Sequence, residues 1–420
     1  METSAEISNR LFLRTTQGIK LGLDRMLAAA AKIGNPQNSF KSFHVAGTNG
    51  KGSVCSYLES CLRGMEFSTG LFTSPHIIDF EERFIIGGRP VSSNAWVNVY
   101  QDLESVIEEF ELTFFEASTL ICFELFKREK IEWAIFETGM GGRLDATNVL
   151  MPHVSVIAKI AMDHMSFLGS DLESIAREKL GIAKPQTPLV MIEPDEQAIR
   201  KLALDLCLQN RAACTFVSDD MATNVEYARG CFRFDCLDRT FEPRLAGRHQ
   251  VLNALAAICA LKMAGLGNVD AIAAGIRSAT LPGRFQINQI KGKTVVFDVG
   301  HNPDAAESFA KTLRATYPDS SVCIATGIMK DKDFAGVLKW YCSVASRLLL
   351  ASPHVERSAS TVELRANVPR QFSGVVFETK SVAVAADIAL ASPEDIVCIV
   401  GSFHTVAEGM MALGQRPYDI

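Results

Sequence analysis

The chain has 420 residues, of which 48% are apolar and 21% charged, and its formal net charge at pH 7 is −6. These values are ordinary for a globular protein and leave room for two or three domains with ample cores. They count against a mainly nucleic-acid-binding protein, which would be basic, and against a membrane-spanning one, because no apolar run approaches the ~20 residues that a transmembrane helix needs.

The N-terminal segment and the cysteines predict a cytoplasmic protein. Residues 1–20 are polar and mixed, without the apolar core of a secretory signal. The eleven cysteines contain no C-x-x-C pair and lie mostly in apolar periodic stretches. We therefore expect reduced, buried thiols, with a metal or disulfide role as the alternative.

Strands and helices alternate through the first two thirds of the chain. The spacing of apolar residues predicts strands at 40–46, 67–72, 131–137, 153–160 and 189–192, and short irregular strands at 231–241. It predicts helices at 11–31, after the turn at 47–53, and at 93–110, 116–130, 172–183 and 249–264. Such alternation builds β-α-β units, so we expect a mostly parallel sheet with helices on both faces.

A seam at residues 281–284, Leu-Pro-Gly-Arg, separates this region from a second alternating one. Strands are predicted there at 293–299, 321–326, 347–351, 375–377 and 396–400, and helices at 304–315 and 333–345. The predicted fold class is α/β. It combines a P-loop-type N-terminal domain, residues 1–283, with a smaller Rossmann-like C-terminal domain, residues 284–420.

A glycine-rich turn, residues 47–53, joins the first strand to the next helix. Its glycines would let backbone N–H groups converge on a phosphate chain at a helix N-terminus, and Lys51 would add a mobile positive charge. The spacing, Gly-x-x-Gly-Lys-Gly-Ser, is shorter ahead of the lysine than the standard P-loop. The turn predicts phosphate binding, with an ordinary strand-to-helix glycine turn as the alternative.

Polar side chains follow several strands, at the edge where open parallel sheets bind ligands. Glu137 closes a strand at the position from which a P-loop ATPase holds Mg²⁺, although a solvated acid would look the same. Ser74 is a candidate hydroxyl ligand, but Ser-Pro is also a common turn. His164, beside Asp163, is either a metal ligand or an ordinary surface or core histidine.

The C-terminal domain repeats this pattern. Asp298, His301 and Asn302 come directly after the strand that we expect to be its first. Because both domains then present polar strand ends, we expect the active site in the cleft between them.

Together these motifs resemble the folylpolyglutamate synthase/dihydrofolate synthase family, relatives of the Mur peptide ligases. The resemblance extends from about Gly18 to His404, and its most specific stretches are residues 141–148 and 298–303. The matching segments, in the expected order, are 47–53, 73–76, 80–83, 114–116, 137–148, 163–164, 178–182, 249–253, 282–284, 298–303, 330–333 and 401–404.

The resemblance implies an ATP-dependent ligase. It would add L-glutamate to dihydropteroate and to the γ-carboxylate of reduced folates through an acyl phosphate, releasing ADP and phosphate. ATP would be a co-substrate and Mg²⁺ would occupy two sites. The implied partners are small molecules only, with no nucleic acid or membrane, and the implied state is a monomer.

The resemblance also assigns residues to the nucleotide and the metals. Ser74 and Glu137 would hold the first Mg²⁺ and His164 the second, while Lys51, Glu137, His164 and Lys179 would act in catalysis. The nucleotide would contact Thr48, Asn49, Gly50, Lys51, Gly52, Ser53, Asn253, Arg284, Asp298 and His301.

A pterin or folate pocket and a modified lysine complete the implied site. Lys179 would be carbamylated, since an ammonium repels Mg²⁺ whereas a carbamate is an anionic ligand; an unmodified helix-face lysine is the alternative. The pocket would be lined by Gly18, Ile19, Lys20, Leu21, Thr113, Phe114, Phe115, Glu116, Leu144, Asp145 and Ala146.

Three other interpretations stay open. The enzyme could have only one of the two activities, although the segment around Phe114 and Phe115 favours both. A Mur-type cell-wall ligase shares the glycine turn but would need an extra N-terminal domain, for which the ~40 residues before the turn leave no room. A non-catalytic ATP-binding switch would explain Gly47–Ser53 and Glu137, but not the polar strand end at Asp298.

Overall fold

The computed structural model describes residues 3–14, 22–163, 165–228 and 230–419. The predictions for Gly18, Ile19, Lys20, Leu21 and His164 therefore lie outside the described residues. The chain divides into two units. The first comprises Met1–Val225, Phe234–Pro243 and Val251–Ala279, and the second Glu226–Arg233, Arg244–Gln250 and Thr280–Ile420.

Eight of the described strands form the large sheet of the first unit, in the order β4-β3-β2-β5-β1-β6-β7-β8. Their bounds are β1 (Lys41–Ala46), β2 (Thr69–Phe72), β3 (Phe84–Ile86), β4 (Arg89–Pro90), β5 (Trp133–Glu137), β6 (Val154–Ile157), β7 (Leu189–Ile192) and β8 (Cys214–Val217). The strands from β2 to β8 along the sheet run parallel, and β3 and β4 add an antiparallel edge. Most residues of the central strands are buried, as expected for a sheet covered on both faces.

Helices cover the sheet of the first unit on both faces. They are α1 (Ser4–Leu13), α2 (Asp24–Lys32), α3 (Lys51–Gly64), α4 (Ser93–Glu109), α5 (Phe114–Arg128), α6 (Met165–Leu168), α7 (Leu172–Leu180), α8 (Gln197–Gln209), α9 (His249–Met263) and α10 (Val269–Ser278). Helix α5 begins at a capping box in which Thr113 and Glu116 each satisfy the other's backbone amide. One apolar core joins α1, α2, α4 and α5 to β2 and β5, and another joins α7 and α8 to β6 and β7.

A small antiparallel sheet contains β9 (Thr223–Ala228), β10 (Cys231–Cys236) and β11 (Arg239–Phe241). The short strands predicted at 231–241 are present, but they are not irregular, because β10 and β11 form a regular hairpin with Phe234 opposite Phe241. Both turn residues, Leu237 and Asp238, have positive φ, which matches the right-handed twist of a tight hairpin.

The second unit contains a six-stranded sheet in the order β12-β13-β17-β14-β15-β16. Its strands are β12 (Gln286–Ile290), β13 (Lys293–Asp298), β14 (Val322–Thr326), β15 (Arg347–Leu350), β16 (Val375–Glu378) and β17 (Ile396–Val400). All neighbours are parallel except β12 and β13. The helices are α11 (Pro303–Thr316), α12 (Phe334–Cys342), α13 (Thr361–Ala366), α14 (Val382–Ala391) and α15 (Phe403–Ala412).

The predicted fold class is confirmed, with one correction to the order of strands. β13 is not the first strand of its sheet, because β12 precedes it across a two-residue turn, Lys291-Gly292, in which both φ values are positive. β12 lies at a sheet edge and has the mostly polar sequence Gln-Ile-Asn-Gln-Ile, so it lacks the apolar run that predicts the other strands. No helix in the described part of the chain is long and apolar enough to cross a membrane.

Candidate active site

The glycine turn forms a loop that packs tightly between β6 and α9. Gly50 has a φ of +89°, and a Cβ placed on it would lie 2.5 Å from Asn253 Oδ1. At Gly47 a Cβ would lie 2.8 Å from the Cβ of Ala158. Thr48 ties the loop to the segment that follows β6, because its hydroxyl donates to the carbonyl of Ala161 at 2.9 Å. Glycine is therefore required at both positions, and the loop ends at the N-terminus of α3.

Two lysines converge on one carbonyl oxygen of this loop. Lys51 Nζ and Lys179 Nζ each donate to Gly47 O at 3.0 Å. Lys179 is buried, and burial together with the nearby charge of Lys51 lowers its pKa to about 7. The ammonium of Lys51 is the mobile charge that the sequence predicts, and Lys179 is a second amine that titrates near neutrality.

Glu137 lies at the end of β5, which is the neighbour of β1 in the sheet. It is buried, and its Oε2 accepts hydrogen bonds from the hydroxyl of Thr73 and from the backbone amide of Ser74 at 3.3 Å. The hydroxyl beside Glu137 is thus that of Thr73, a residue that the sequence analysis did not select. Ser74 is present at the site through its amide.

This donor set is compatible with Mg²⁺. Mg²⁺ is usually held by one or two carboxylates together with waters and substrate phosphates. Among the described residues, no group of three or more His, Cys, Asp and Glu side chains is arranged to hold a metal by itself. Glu137, next to a phosphate-type loop, fits a metal that is completed by the phosphates of a nucleotide.

The loop after Glu137 packs closely on α7 and carries Asp145. A Cβ on Gly142 would lie 2.8 Å from the carbonyl oxygen of Lys179, and the Arg143 amide donates to Glu178 O at 2.7 Å. Asp145 is buried and accepts from the amide of Met140 at 2.9 Å. This packing brings Lys179 and the loop of residues 139–147 to the same edge of the sheet.

The residues at the start of α5 flank the same loop. A Cβ on Gly139 would lie 2.6 Å from the ring of Phe115, so this ring packs against the loop backbone. Phe114 is buried in the apolar core. Glu116 accepts from the Thr113 amide and hydroxyl at 2.8 Å, and its other oxygen pairs with Arg25 at 3.0 Å. Glu116 is thus a capping residue, and Phe115 is the neighbour of the Asp145 loop.

The predicted nucleotide residues of the second unit lie together at the end of β13. Asp298 accepts from the amides of Phe285 at 2.9 Å and Gly300 at 2.8 Å. Burial raises the pKa of Asp298, and the guanidinium of Arg284 opposes that rise. Arg284 lies over the ring of Phe403, 5.5 Å from its centroid, and His301 is 6.5 Å from the same ring. Phe403 is a further residue that the sequence analysis did not select.

Two family models cover most of the chain. The Mur ligase middle domain matches residues 45–261, and the Mur ligase glutamate ligase domain matches residues 283–403. Dihydrofolate synthase/folylpolyglutamate synthase of Escherichia coli is 36% identical over 405 residues, which are 95% of this chain and 92% of that protein. The chain belongs to the dihydrofolate synthase/folylpolyglutamate synthase family of Mur ligases.

Solved structures of this family have the same fold. The Escherichia coli FolC protein in complex with DHPP and ADP is 34% identical, with a TM-score of 0.87 over 98% of both chains. A bifunctional folylpolyglutamate synthase/dihydrofolate synthase with Mn, AMPPNP and L-glutamate bound is 32% identical, with a TM-score of 0.85 over 99% of this chain and 98% of that one. The family consists of ATP-dependent ligases that form amide bonds, so the resemblance expected from the motifs is confirmed.

Proposed function

We propose that this protein uses ATP to join L-glutamate to dihydropteroate and to the γ-carboxylate of reduced folates. The observation that carries the proposal is the arrangement at the C-terminal edge of the large sheet. Lys51 and Lys179 meet at Gly47 in a phosphate-type loop, with Glu137 at the end of the adjacent strand. The relatives named above, one of them with a nucleotide analogue and L-glutamate bound, support the same reaction.

The reaction proceeds through an acyl phosphate. A carboxylate oxygen of the acceptor attacks the γ-phosphorus of ATP, and the bond to the β,γ-bridging oxygen breaks to release ADP. The amine of L-glutamate then attacks the acyl carbon, loses a proton and expels phosphate. Lys51 and the backbone amides of Thr48 to Ser53 bind the phosphates. They offset the negative charge of the phosphoryl group while it is transferred. In this role Lys51 exchanges its hydrogen bonds to the loop carbonyls for phosphate oxygens.

Glu137 and Ser74 are proposed to hold Mg²⁺ with the ATP phosphates, and His164 a second ion. Bound Mg²⁺ supplies charge neutralisation on the phosphate oxygens. We further propose that Asn253, Arg284, Asp298 and His301 contact the nucleotide, with residues 1–283 and 284–420 as the two functional domains.

We also propose that Lys179 is carbamylated, and its buried environment supports this. With a pKa of about 7, a large fraction of the amine is neutral at neutral pH and can attack CO₂ to form a carbamate and release one proton. The carbamate reverses the charge beside Lys51, from repulsion to attraction. A ¹³C NMR signal at the carbamate position after incubation with ¹³C-bicarbonate, absent from Lys179→Ala, tests this step.

The assay that tests the function uses purified protein with MgATP, L-glutamate and either dihydropteroate or a reduced folate. We expect phosphate release that requires both the acceptor and glutamate, and a product heavier by one glutamyl residue with each acceptor. Lys51→Ala should abolish both reactions and keep the fold, whereas Lys32→Ala, at an exposed ion pair with Glu109, should leave them unchanged.

Each rival interpretation gives a different result in this assay. Product with one acceptor only would show a single activity. Turnover only with a UDP-muramoyl substrate would show a cell-wall ligase, and ATP binding without turnover a switch. Cytoplasmic location and a monomeric state stay predictions, and size-exclusion chromatography with light scattering tests the second.

A further inference from the structure

His44 is a fully buried histidine on β1 that the proposed reaction does not use. It lies three residues before Gly47, on the strand that leads into the phosphate loop. It is paired in register with Phe136, whose strand neighbour is Glu137. A buried histidine so close to the site calls for a structural or functional reason.

A continuous line of hydrogen bonds joins His44 to Asp145. His44 Nε2 lies 2.8 Å from Thr147 Oγ1, and Thr147 Oγ1 lies 2.5 Å from Asp145 Oδ1. Thr147 is fully buried, and its amide also donates to Asp145 Oδ1 at 3.1 Å. The line therefore connects β1 to the loop of residues 139–147.

The surroundings fix the direction in which the protons are donated. Nδ1 of His44 has no hydrogen-bond partner among the described residues, so a proton there would be a buried donor without an acceptor. The proton therefore belongs on Nε2, which donates to Thr147 Oγ1. Thr147 has a single hydroxyl proton, so its hydroxyl must donate a hydrogen bond to Asp145, which accepts it as a carboxylate. A separation of 2.5 Å is typical of a hydroxyl bound to a charged oxygen.

The charges around this line agree with that direction. Burial, with a smaller effect of Lys184, lowers the pKa of His44 to about 3, so the ring is neutral and carries one proton. Burial raises the pKa of Asp145, and the bonds from Thr147 and Met140 oppose the rise. In its unmodified form, Lys179 also lies within electrostatic reach of Asp145 and favours its anionic form. The Thr147 hydroxyl, which accepts from His44, thus donates to a carboxyl group that burial would otherwise tend to protonate.

We propose that His44 is a positioning residue that, through Thr147, holds Asp145 in the orientation and anionic form that bind the heterocycle of the acceptor substrate. This rests on the proposed function, in which Asp145 belongs to the pterin segment. A pterin ring presents two hydrogen-bond donors, a ring N–H and an exocyclic amino group. A carboxylate can accept hydrogen bonds from both, whereas the proton of a carboxylic acid would oppose one of them.

The first test compares His44→Leu with His44→Gln. Leucine keeps the apolar volume and removes the donor, whereas the amide nitrogen of glutamine can donate from nearly the same place as Nε2. We expect His44→Leu to raise the dissociation constant for dihydropteroate, measured by calorimetry, and its KM about tenfold, which is the upper end of the usual range for one hydrogen bond. kcat and the KM for ATP should stay within about twofold, and His44→Gln should recover most of the affinity.

Two further variants separate this role from a merely structural one. Thr147→Val breaks the line at its middle and should reproduce the effect of His44→Leu. Ser155→Ala is the matched control. Ser155 is fully buried, pairs with His44 across the neighbouring strand and donates to Ile182 O at 2.9 Å, a bond that does not lead to Asp145. It should leave the affinity for dihydropteroate unchanged.

A double-mutant cycle with Asp145→Asn gives the sharpest test. If His44 acts through Asp145, the double variant His44→Leu/Asp145→Asn should bind dihydropteroate no more weakly than Asp145→Asn alone. Additive losses would overturn the proposal, and so would unchanged affinity in His44→Leu and Thr147→Val.

The outcomes distinguish this proposal from the proposed function. If the wild type is active and Asp145→Asn weakens acceptor binding while His44→Leu does not, the positioning role fails and the function stands. If the wild type neither binds nor uses a pterin acceptor, both fail.

Discussion

At the scale of single residues, two amines and one carbonyl define the chemistry of the loop. Lys51 and Lys179 lie on different helices, yet both donate to Gly47 O. Burial, and next the repulsion between the two ammonium groups, lowers the pKa of Lys179 to about 7. The same repulsion would be relieved by phosphates or by a carbamate, so the site is organised to receive negative charge.

The burial of His44 predicts a pH dependence of stability. Its pKa is about 3 in the folded protein and near 6.5 when unfolded, so between these values the unfolded chain binds more protons. The free energy of unfolding should therefore fall as the pH drops below 6.5, by about 2 kcal/mol between pH 6.5 and 5 from this residue alone.

Urea titrations at the two pH values measure this effect. His44→Gln, which cannot gain the proton, should show a loss of stability that is smaller by that amount. The difference between wild type and variant removes the contributions of other groups, such as Glu82, whose pKa is raised by burial and which acts with the opposite sign. Equal losses in both proteins would contradict the assigned pKa of His44.

At the scale of elements, the position of the phosphate loop depends on the packing of α3 against α10. Gly275 of α10 lies on the backbone of α3, since a Cβ there would be 2.4 Å from Cys61 Cα and 2.7 Å from Cys61 N. Backbone cannot move aside as a flexible side chain can. The position of α3, the helix that starts at the loop, thus depends on Gly275, more than 200 residues further along the chain.

Gly275→Ala should destabilise the protein by about 1–3 kcal/mol, the usual cost of overpacking. The matched control is Gly267→Ala in the preceding turn, where no atom lies within 4 Å of the added Cβ and the change should be within about 0.5 kcal/mol. Thermal melts of the two variants beside wild type check the prediction. A Gly275→Ala protein as stable as the control would show that α3 and α10 can separate without cost.

At the scale of the whole molecule, the net charge of −6 makes local cations necessary for binding an anionic nucleotide. Lys51 is the candidate in the first unit, and Arg284, which lies over the ring of Phe403, is the candidate in the second. Binding of a ligand to the folded protein alone raises its stability by mass action. Thermal stability in the presence of MgATP therefore reports whether a given cation takes part.

MgATP at about 100 times its dissociation constant should stabilise the wild type by about 2.7 kcal/mol. If Arg284 contacts the nucleotide, Arg284→Ala should bind about tenfold more weakly and lose roughly 1.4 kcal/mol of that gain. Arg370→Ala, at an exposed arginine of the same unit, should retain all of it. A full thermal shift in Arg284→Ala would remove this residue from the nucleotide site.

The amino-acid sequence alone predicts the class of fold, most of the strands and the family. The apolar runs of the strands can be recognised in the sequence, because a buried parallel strand must be apolar along its length. Short elements with polar sequences, such as β12, escaped prediction, as did β8, a four-residue edge strand that is half-buried over most of its length. The glycine turn and Glu137 were visible because their spacing along the chain is itself the signal.

Which side chains contact one another is seen in the folded protein and not in the sequence. The fold places β5 between β2 and β1. Glu137 therefore lies next to the phosphate loop and accepts a hydrogen bond from the Thr73 hydroxyl. The fold also joins His44 to Thr147 across 103 positions. Hydrogen bonds and close contacts of this kind depend on the order of strands and on helix packing, which leave no periodic trace in the sequence.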